Sequence, residues 1–166
     1  VQQEAILGTI LMQRFGDTHI FAMILFVNAV VAILLQMPLV GYLLKKHVPL
    51  VIMRNGCIFF VAGLLGMGFA GSSLPTYIIS QILFTVGEIL VLSISGIFID
   101  SIAPKDLKGA YFGAMSFCNL GKCAGPVVGG SLLQDFDGGL VLAFFGVFSL
   151  LAMIFYHKRL LFYDKR

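Results

Sequence analysis

The chain has 166 residues, of which 59% are hydrophobic and 11% are charged, and its formal net charge is +3. An average soluble domain is about 45–50% apolar and about 25% charged, so a chain this apolar and this short would need more core than it can enclose. The composition therefore excludes an ordinary soluble domain and favours a bilayer, where lipid covers apolar side chains on every face of a helix.

Six apolar segments follow one another along the chain. The first, residues 1–14, is too short to cross alone, and we interpret it as the second half of a helix whose beginning is missing; it lacks the basic leader and cleavage site of a signal peptide. Five segments of the roughly 20 residues that a span needs lie at about 20–44, 48–71, 75–102, 109–133 and 139–157. Because the breaks are short, we expect one all-α bundle of six membrane helices, the first truncated, with no soluble domain.

Basic residues collect on one face of this predicted bundle, because alternate breaks lie on the same side of the membrane. That face carries nine of them: Lys45, Lys46, Arg54, Lys105, Lys108, Lys158, Arg159, Lys165 and Arg166. The other face carries Arg14, with Asp17, Asp135 and Asp137. Since loops rich in Lys and Arg stay inside, we predict a cytoplasmic carboxyl terminus. We interpret the tail "HKRLLFYDKR" as a stop-transfer anchor with a short amphipathic end rather than as a binding segment.

Two charged residues lie within predicted spans. Glu88 is near the middle of segment 75–102 and Lys122 is near the middle of segment 109–133. These segments are joined by a short turn and should run antiparallel, with Glu88 about 16 residues before the turn and Lys122 about 14 after it. At about 1.5 Å per residue the two depths are similar, so we predict that they share the midplane and pair directly or through water.

A charge at the bilayer centre costs about 2.5–3.5 kcal/mol on insertion scales, so the pair needs an explanation. One is a buried ion pair that only fixes helix packing. The other is a solvated path in which Glu88 changes its protonation state, as proton coupling requires. The residue types alone leave both open.

Further polar residues form a stripe around Glu88, at helical spacings of three, four and seven: Tyr77, Gln81, Thr85 and Ser95. On a membrane helix such a stripe should face a cavity or the bundle interior. Asn28 and Gln36 lie eight residues apart on one face of segment 20–44. We predict that all six residues line a cavity, with interhelical hydrogen bonding as the alternative for Asn28 and Gln36.

Glycines recur every four residues in segment 109–133, with one interruption at Phe117. They are Gly109, Gly113, Gly121, Gly125 and Gly129. Such a line of small residues lets a neighbouring backbone approach closely. Pro126 removes one backbone hydrogen bond and should kink the helix.

At these residues the chain resembles the major facilitator superfamily. "GKCAGPVVGGSLL" is similar to the GxxxGPxxGG motif of that superfamily's antiporters, and it supplies Gly121, Gly125, Pro126, Gly129 and Gly130 as packing residues. "PLVGYLLKKHVP" resembles a degraded copy of the family's cytoplasmic loop motif. The segment from Val86 to Ala114 resembles the tenth and eleventh helices of bacterial multidrug transporters. The loop residues that match are Gly41, Lys46, Pro104, Lys108 and Gly109, whereas Lys45 stands where the family motif has an acidic residue.

This resemblance covers nearly the whole chain and implies helices seven to twelve, that is, the carboxyl-terminal half of a major facilitator fold. The chain departs from the family in its incomplete first helix and in lacking the amino-terminal six-helix half. The resemblance implies a multi-pass protein of the bacterial inner or plasma membrane. It implies alternating access, with proton-coupled export of small hydrophobic or cationic molecules; Glu88 and Lys122 would couple protons. The Gly87–Glu88 pair also resembles proton-coupled peptide transporters.

Two other classes compete with a transporter. The chain could be a non-transporting module that supplies helices to a partner, or it could be an enzyme. Against an enzyme, the sequence shows no Ser/His/Asp or Cys/His constellation, no metal-ligand spacing and no nucleotide loop. His19, His47 and His157 sit at segment ends, and Cys57, Cys118 and Cys123 read as small apolar packers. We expect no cofactor, no metal and no nucleic-acid partner.

Overall fold

The computed structural model describes residues 2–163, and among them the side chains of residues 6–158 and Leu160. Three of the nine predicted basic-face residues, Arg159, Lys165 and Arg166, therefore have side chains outside the described part. The described residues contain no strand and form α1 (Gln2–Phe15), α2 (Thr18–Leu44), α3 (Pro49–Phe69), α4 (Leu74–Ile102), a 3-10 turn (Lys105–Leu107), α5 (Lys108–Met115), α6 (Cys118–Asp135) and α7 (Gly138–Tyr163).

Turn chemistry sets the helix boundaries. Gly16 and Gly71 adopt left-handed backbone conformations, with φ of 67° and 57°, at the ends of α1 and α3. The Asp17 carboxylate accepts a hydrogen bond from the His19 amide at 2.8 Å and caps α2. Pro49 lies in the first turn of α3, where its missing N–H leaves no intrahelical bond unmade. Four of these helices, α2, α3, α4 and α7, are long and apolar enough to cross a membrane.

The predicted segment 109–133 differs from a single helix. It is divided into α5 and α6 at Ser116 and Phe117, where the backbone bonds shorten to the i→i−3 type: the Phe117 amide donates to the Ala114 carbonyl at 3.1 Å. The Ser116 hydroxyl donates to the Phe112 carbonyl at 3.1 Å, which favours bending. Pro126, where we expected the kink, lies inside a continuous α6.

Helix α3 is at the centre of the packing. It lies against α4 and α7, while α2 packs on α4 and α6 packs mainly on α1. Glycines bring α3 and α4 together: a β-carbon built on Gly63 would lie 2.6 Å from the Phe84 amide nitrogen. One on Gly87 would lie equally close to the Phe60 nitrogen. The closest backbone approach on these helices thus comes from glycines for which the sequence had not predicted a packing role.

Alternate breaks meet at each end of the bundle. At one end the Arg14 guanidinium donates to the Gly71 carbonyl and pairs with Asp137 at 3.4 Å, which joins the end of α1 to two other turns. At the other end Arg54 of α3 lies within 3.5 Å of His157 of α7. These contacts agree with the arrangement of breaks inferred from the sequence; which end faces the cytoplasm stays a prediction.

Candidate functional site

A cavity of about 610 Å³ opens between α3, α4, α6 and α7, with Ile6 of α1 at its edge. Its volume falls within the range of about 300–1,000 Å³ that small-molecule sites occupy. Most of its wall is apolar and aromatic, with contributions from Phe60, Phe84, Phe144, Phe145, Phe148 and Tyr156. Such a wall suits an apolar or amphipathic guest.

Glu88 and Lys122 both line this cavity, from α4 and α6 respectively. Glu88 is half-buried and Lys122 is exposed. The structure therefore brings the two predicted charges to one space, although they come from helices whose main packing partners differ. Their direct pairing and their common depth stay predictions.

The orientation of Glu88 follows from the packing of the residue before it. Gly87 lies against the backbone of α3, because no side chain would fit between Gly87 and Phe60. Each helical residue turns by about 100°, so Glu88 leaves this contact and shares the cavity face of α4 with Phe84. The Phe84 ring packs on Phe60, with ring centroids 4.2 Å apart, which fixes this wall.

Small residues shape the wall on the α6 side. Gly121, Ala124 and Gly125 border the cavity beside Lys122, and their lack of bulk leaves room in it. Pro126 has no N–H, so the Lys122 carbonyl loses its usual partner four residues on. The Lys122 carbonyl therefore lacks the usual backbone donor of a helix interior.

The glycine motif has two environments. Gly125 and Gly129 are buried, and Gly129 receives the side chain of Ile6 from α1. A β-carbon on Gly121 or Gly130 would meet nothing within 4 Å among the described residues, and the same holds for Gly109 and Gly113. Close packing therefore occupies only the second half of the predicted glycine line.

The polar stripe of α4 lies in the helix packing and away from this cavity. Of the stripe residues, Glu88 alone is among the described residues that line the cavity. Tyr77, Gln81 and Thr85 are each at least 98% buried. The Thr85 hydroxyl oxygen lies 2.6 Å from Asn28 Oδ1 of α2 and 2.8 Å from the Gln81 carbonyl, so its one proton serves either acceptor.

Two other predicted cavity residues also lie elsewhere. Gln36 is exposed on α2, and the Ser95 hydroxyl donates to the Leu92 carbonyl of its own helix at 2.8 Å. A contact of these side chains with substrate stays a prediction.

The predicted cytoplasmic loop residues lie at the basic end of the bundle. Lys46 donates to the Tyr42 hydroxyl, and its ammonium also lies 4.4 Å from the centroid of that ring. Lys108 pairs with Asp100, which ties the start of α5 to α4. Pro104 caps the 3-10 turn, and Lys45, Gly41 and Gly109 are exposed.

The cluster around Arg14 is a feature that sequence reasoning missed. Arg14 donates to the Tyr77 hydroxyl at 2.8 Å in addition to its contacts with Gly71 and Asp137. The Asp137 carboxylate also accepts from the Gly139 amide at 2.8 Å and so caps α7. The available signal was that Arg14, Tyr77 and Asp137 all lie next to breaks predicted on one face. The aromatic lining residues gave no such signal, because these helices are apolar on every side.

The residues that the structure describes contain no group of three or more His, Cys, Asp and Glu arranged to hold a metal ion. The charged groups that the structure places at this mostly apolar cavity are the Glu88 carboxylate and the Lys122 ammonium. Such residues within membrane helices commonly mark substrate or ion pathways.

Comparisons with known proteins identify the kind of protein that carries this site. The chain is 33% identical to the MFS-type transporter YqjV of Bacillus subtilis over 81% of its length, and 38% identical to the MFS-type transporter YdeE of Escherichia coli over 70%. These matches cover 32% and 29% of the two relatives, so the chain spans about a third of their length.

A more distant relative is named "Na(+), Li(+), K(+)/H(+) antiporter" and comes from Planococcus maritimus; it is 25% identical over 91% of this chain and 35% of its own length. No solved structure gives a significant match. Residues 5–165 match the family described as Major Facilitator Superfamily, which is almost the whole chain. The chain belongs to the Major Facilitator Superfamily of membrane transporters.

Proposed function

We propose that this chain is the carboxyl-terminal half of a proton-coupled secondary transporter that works by alternating access, with Glu88 as its proton-responsive group. The observation that carries the proposal is that Glu88 and Lys122 line one cavity whose wall is mostly apolar. An ionisable residue kept inside a membrane bundle is by default a candidate for transport, since it is costly to insert. A second six-helix half would complete the path, and rocking of the halves would change access.

The two charges suggest how coupling would operate. When Glu88 is ionised, the Lys122 ammonium balances its charge across the cavity. When Glu88 binds a proton, that balance is lost and Lys122 becomes the net charge of the site. Proton binding thereby changes which guests and which conformation the cavity favours, which is the differential affinity that a population shift needs.

The guest that fits this wall best is a small hydrophobic or cationic compound. The aromatic rings from α3, α4 and α7 offer apolar contact and attraction for a cation, and the Glu88 carboxylate adds a counter-charge. Export of such compounds is the direction that the antiporter-like glycine motif suggests. Peptide uptake by the same coupling is the alternative.

Exchange of a monovalent cation for protons is a second candidate. It is favoured by the antiporter relative, whose similarity runs along 91% of this chain. The Lys122 carbonyl, which lacks an N–H partner at Pro126, would then supply an oxygen ligand together with Glu88.

Flux measurements in proteoliposomes test the coupling. The full-length protein is reconstituted under an imposed pH gradient, and uptake of a hydrophobic cationic dye, a peptide or Na⁺ is followed in separate experiments. We expect Glu88→Gln to abolish the gradient-driven part of the flux, because the amide cannot exchange a proton. The substrate that responds identifies which candidate is right.

Asp106→Asn is the matched control, since it removes a carboxylate from the exposed 3-10 turn. It should leave flux unchanged. Undiminished gradient-driven flux in Glu88→Gln would show that the coupling assignment is wrong. Absence of flux for every substrate in the unaltered protein would favour the non-transporting module.

A further inference from the structure

Arg54 and His157 form a contact between α3 and α7 that the transport site does not use. Arg54 Nη1 lies 3.5 Å from His157 Nδ1. Because a guanidinium N–H can only donate, we assign Nδ1 of His157 as the acceptor in this contact and Nε2 as the nitrogen that can donate elsewhere. The Arg54 Nε and Nη2 groups both donate to Asn55 Oδ1, at 3.4 and 3.2 Å.

These contacts leave the charge of Arg54 without a counter-ion. Within the part of the chain that the structure describes, no carboxylate lies within ion-pair distance of Arg54, and its three bonds engage three of five guanidinium N–H groups. Lys158, the next residue after His157, is exposed and adds a second cation. Lys108 differs, because its charge is met by Asp100.

Helix length places His157 at the predicted headgroup depth, and the long Arg54 side chain, just over one turn deeper on α3, can extend to the same level. His157 is about 19 residues beyond Gly138, the start of α7. At about 1.5 Å per residue this is about 28 Å along the helix, close to the roughly 30 Å of a bilayer's hydrocarbon core. Arg54 lies in the second turn of α3, which begins at Pro49 at the same end of the bundle.

Exposed apolar side chains continue from these cations toward the bilayer interior. Ile58 lies four residues after Arg54 on the same face of α3 and is 53% exposed. On α7, Ile154 lies three residues before His157 and four before Lys158, so it shares their face of the helix, and it is 46% exposed. Helices α3 and α7 pack against each other, so these residues form two apolar edges that end in positive charge.

We propose that the α3–α7 surface formed by these residues binds an anionic phospholipid, with its phosphodiester against Arg54, His157 Nε2 and Lys158 and an acyl chain along Ile58 and Ile154. Charge complementarity selects the headgroup, because a guanidinium with unused N–H groups binds a phosphate strongly. The apolar edges select a lipid over a free anion. Basic pockets between membrane helices are a general means of binding anionic headgroups.

Native mass spectrometry of the purified full-length protein tests this site. Phosphatidylglycerol and the zwitterionic phosphatidylcholine are titrated separately, and the affinity of the first bound lipid is measured. We expect phosphatidylglycerol to bind more tightly, and Arg54→Gln to weaken it about tenfold or more, because a charge-assisted bond to phosphate is lost. Phosphatidylcholine binding should change little.

Lys105→Gln is the matched control, since it removes an exposed cation from the same end of the bundle but outside the α3–α7 surface. It should change phosphatidylglycerol affinity less than twofold. Equal weakening by Arg54→Gln and Lys105→Gln would overturn the site in favour of general surface charge. Displacement of the lipid by inorganic phosphate at equal concentration would overturn it in favour of a free-anion site. If Arg54→Gln does not fold, Lys158→Gln replaces it in the same comparison.

Discussion

At the scale of single residues, the hydroxyl of Thr85 joins two membrane helices. It is fully buried and lies 2.6 Å from the Asn28 side-chain oxygen of α2. Lipid offers no competing hydrogen-bond partner, so the contact stabilises a particular rotation of α4 against α2. That rotation in turn sets which face of α4, and hence which side of Glu88, meets the cavity.

Replacing this hydroxyl by a methyl group should loosen the contact. We expect Thr85→Val to lower the free energy of unfolding by about 0.6 kcal/mol and by no more than about 1.7 kcal/mol, the average and the maximum measured for interhelical hydrogen bonds in a membrane protein. Ser95→Ala is the control, because the Ser95 hydroxyl bonds within its own helix and should contribute less. Thermal unfolding in detergent measures both, and equal stability of Thr85→Val and the unaltered protein would contradict the role assigned to this bond.

The sequence predicted which polar residues share one face of α4, but it did not predict what that face contacts. Residues four apart share a helix face whatever surrounds the helix, so Tyr77, Gln81 and Thr85 could be grouped from the sequence. What that face meets depends on helix rotation. The contrast between polar and apolar faces that fixes the rotation of a soluble helix is weak here, because most of the surface of α2 and α4 is apolar. The sequence therefore supported two positions for this face equally well: a buried contact with Asn28, or the cavity wall.

At the scale of helices, glycine contacts determine which pairs approach most closely. Gly56 and Gly63 of α3 and Gly87 of α4 leave no space for a side chain between the two backbones. The glycine line of α5 and α6 was the stronger pattern in the sequence, yet much of it faces open space. A four-residue repeat shows where close approach is possible; only the neighbouring helix decides where it happens.

An added methyl group distinguishes the two kinds of glycine. We expect Gly63→Ala to destabilise the protein by about 1–3 kcal/mol, because its β-carbon would lie 2.6 Å from the Phe84 amide and the helices must separate. Gly113→Ala should be neutral or stabilising by up to about 1 kcal/mol, since alanine is the better helix former and nothing lies nearby. The unfolding midpoint in detergent should fall for Gly63→Ala and stay the same or rise for Gly113→Ala; a matching loss in both would contradict the packing described for α3 and α4.

At the scale of the whole molecule, the alternation of breaks follows from span length alone. Each span reverses the chain, so the segment boundaries placed Arg14 and Asp137 at one end and Arg54 and His157 at the other before any contact was known. The division at Ser116 and Phe117 could not be anticipated in this way, because the surrounding residues are compatible with a continuous helix. The cavity was equally hidden, since its walls come from four helices and its shape depends on their mutual rotation.

Thiol labelling in whole cells tests the predicted orientation. In a background with Cys57, Cys118 and Cys123 replaced by Ala, Ser72→Cys and Lys105→Cys place single thiols in exposed turns at opposite ends of the bundle. We expect a membrane-impermeant maleimide to label position 72 in intact cells, and position 105 only after permeabilisation, because the basic end should face the cytoplasm. The reverse pattern would invert the topology and leave the fold unchanged.

Helices of unequal length share one bilayer in this bundle. Helix α3 has 21 residues, about 31 Å, which matches the roughly 30 Å of hydrocarbon, whereas α4 has 29 residues, about 43 Å. Helix α4 must therefore tilt, or carry its ends beyond the hydrocarbon, while α3 can stand almost upright. Because glycines hold α3 and α4 in close contact, a change in membrane thickness alters the crossing angle between these two helices. Hydrophobic mismatch thus acts first on the helix that carries Glu88, and lipid chain length becomes a means of adjusting the site from outside the protein.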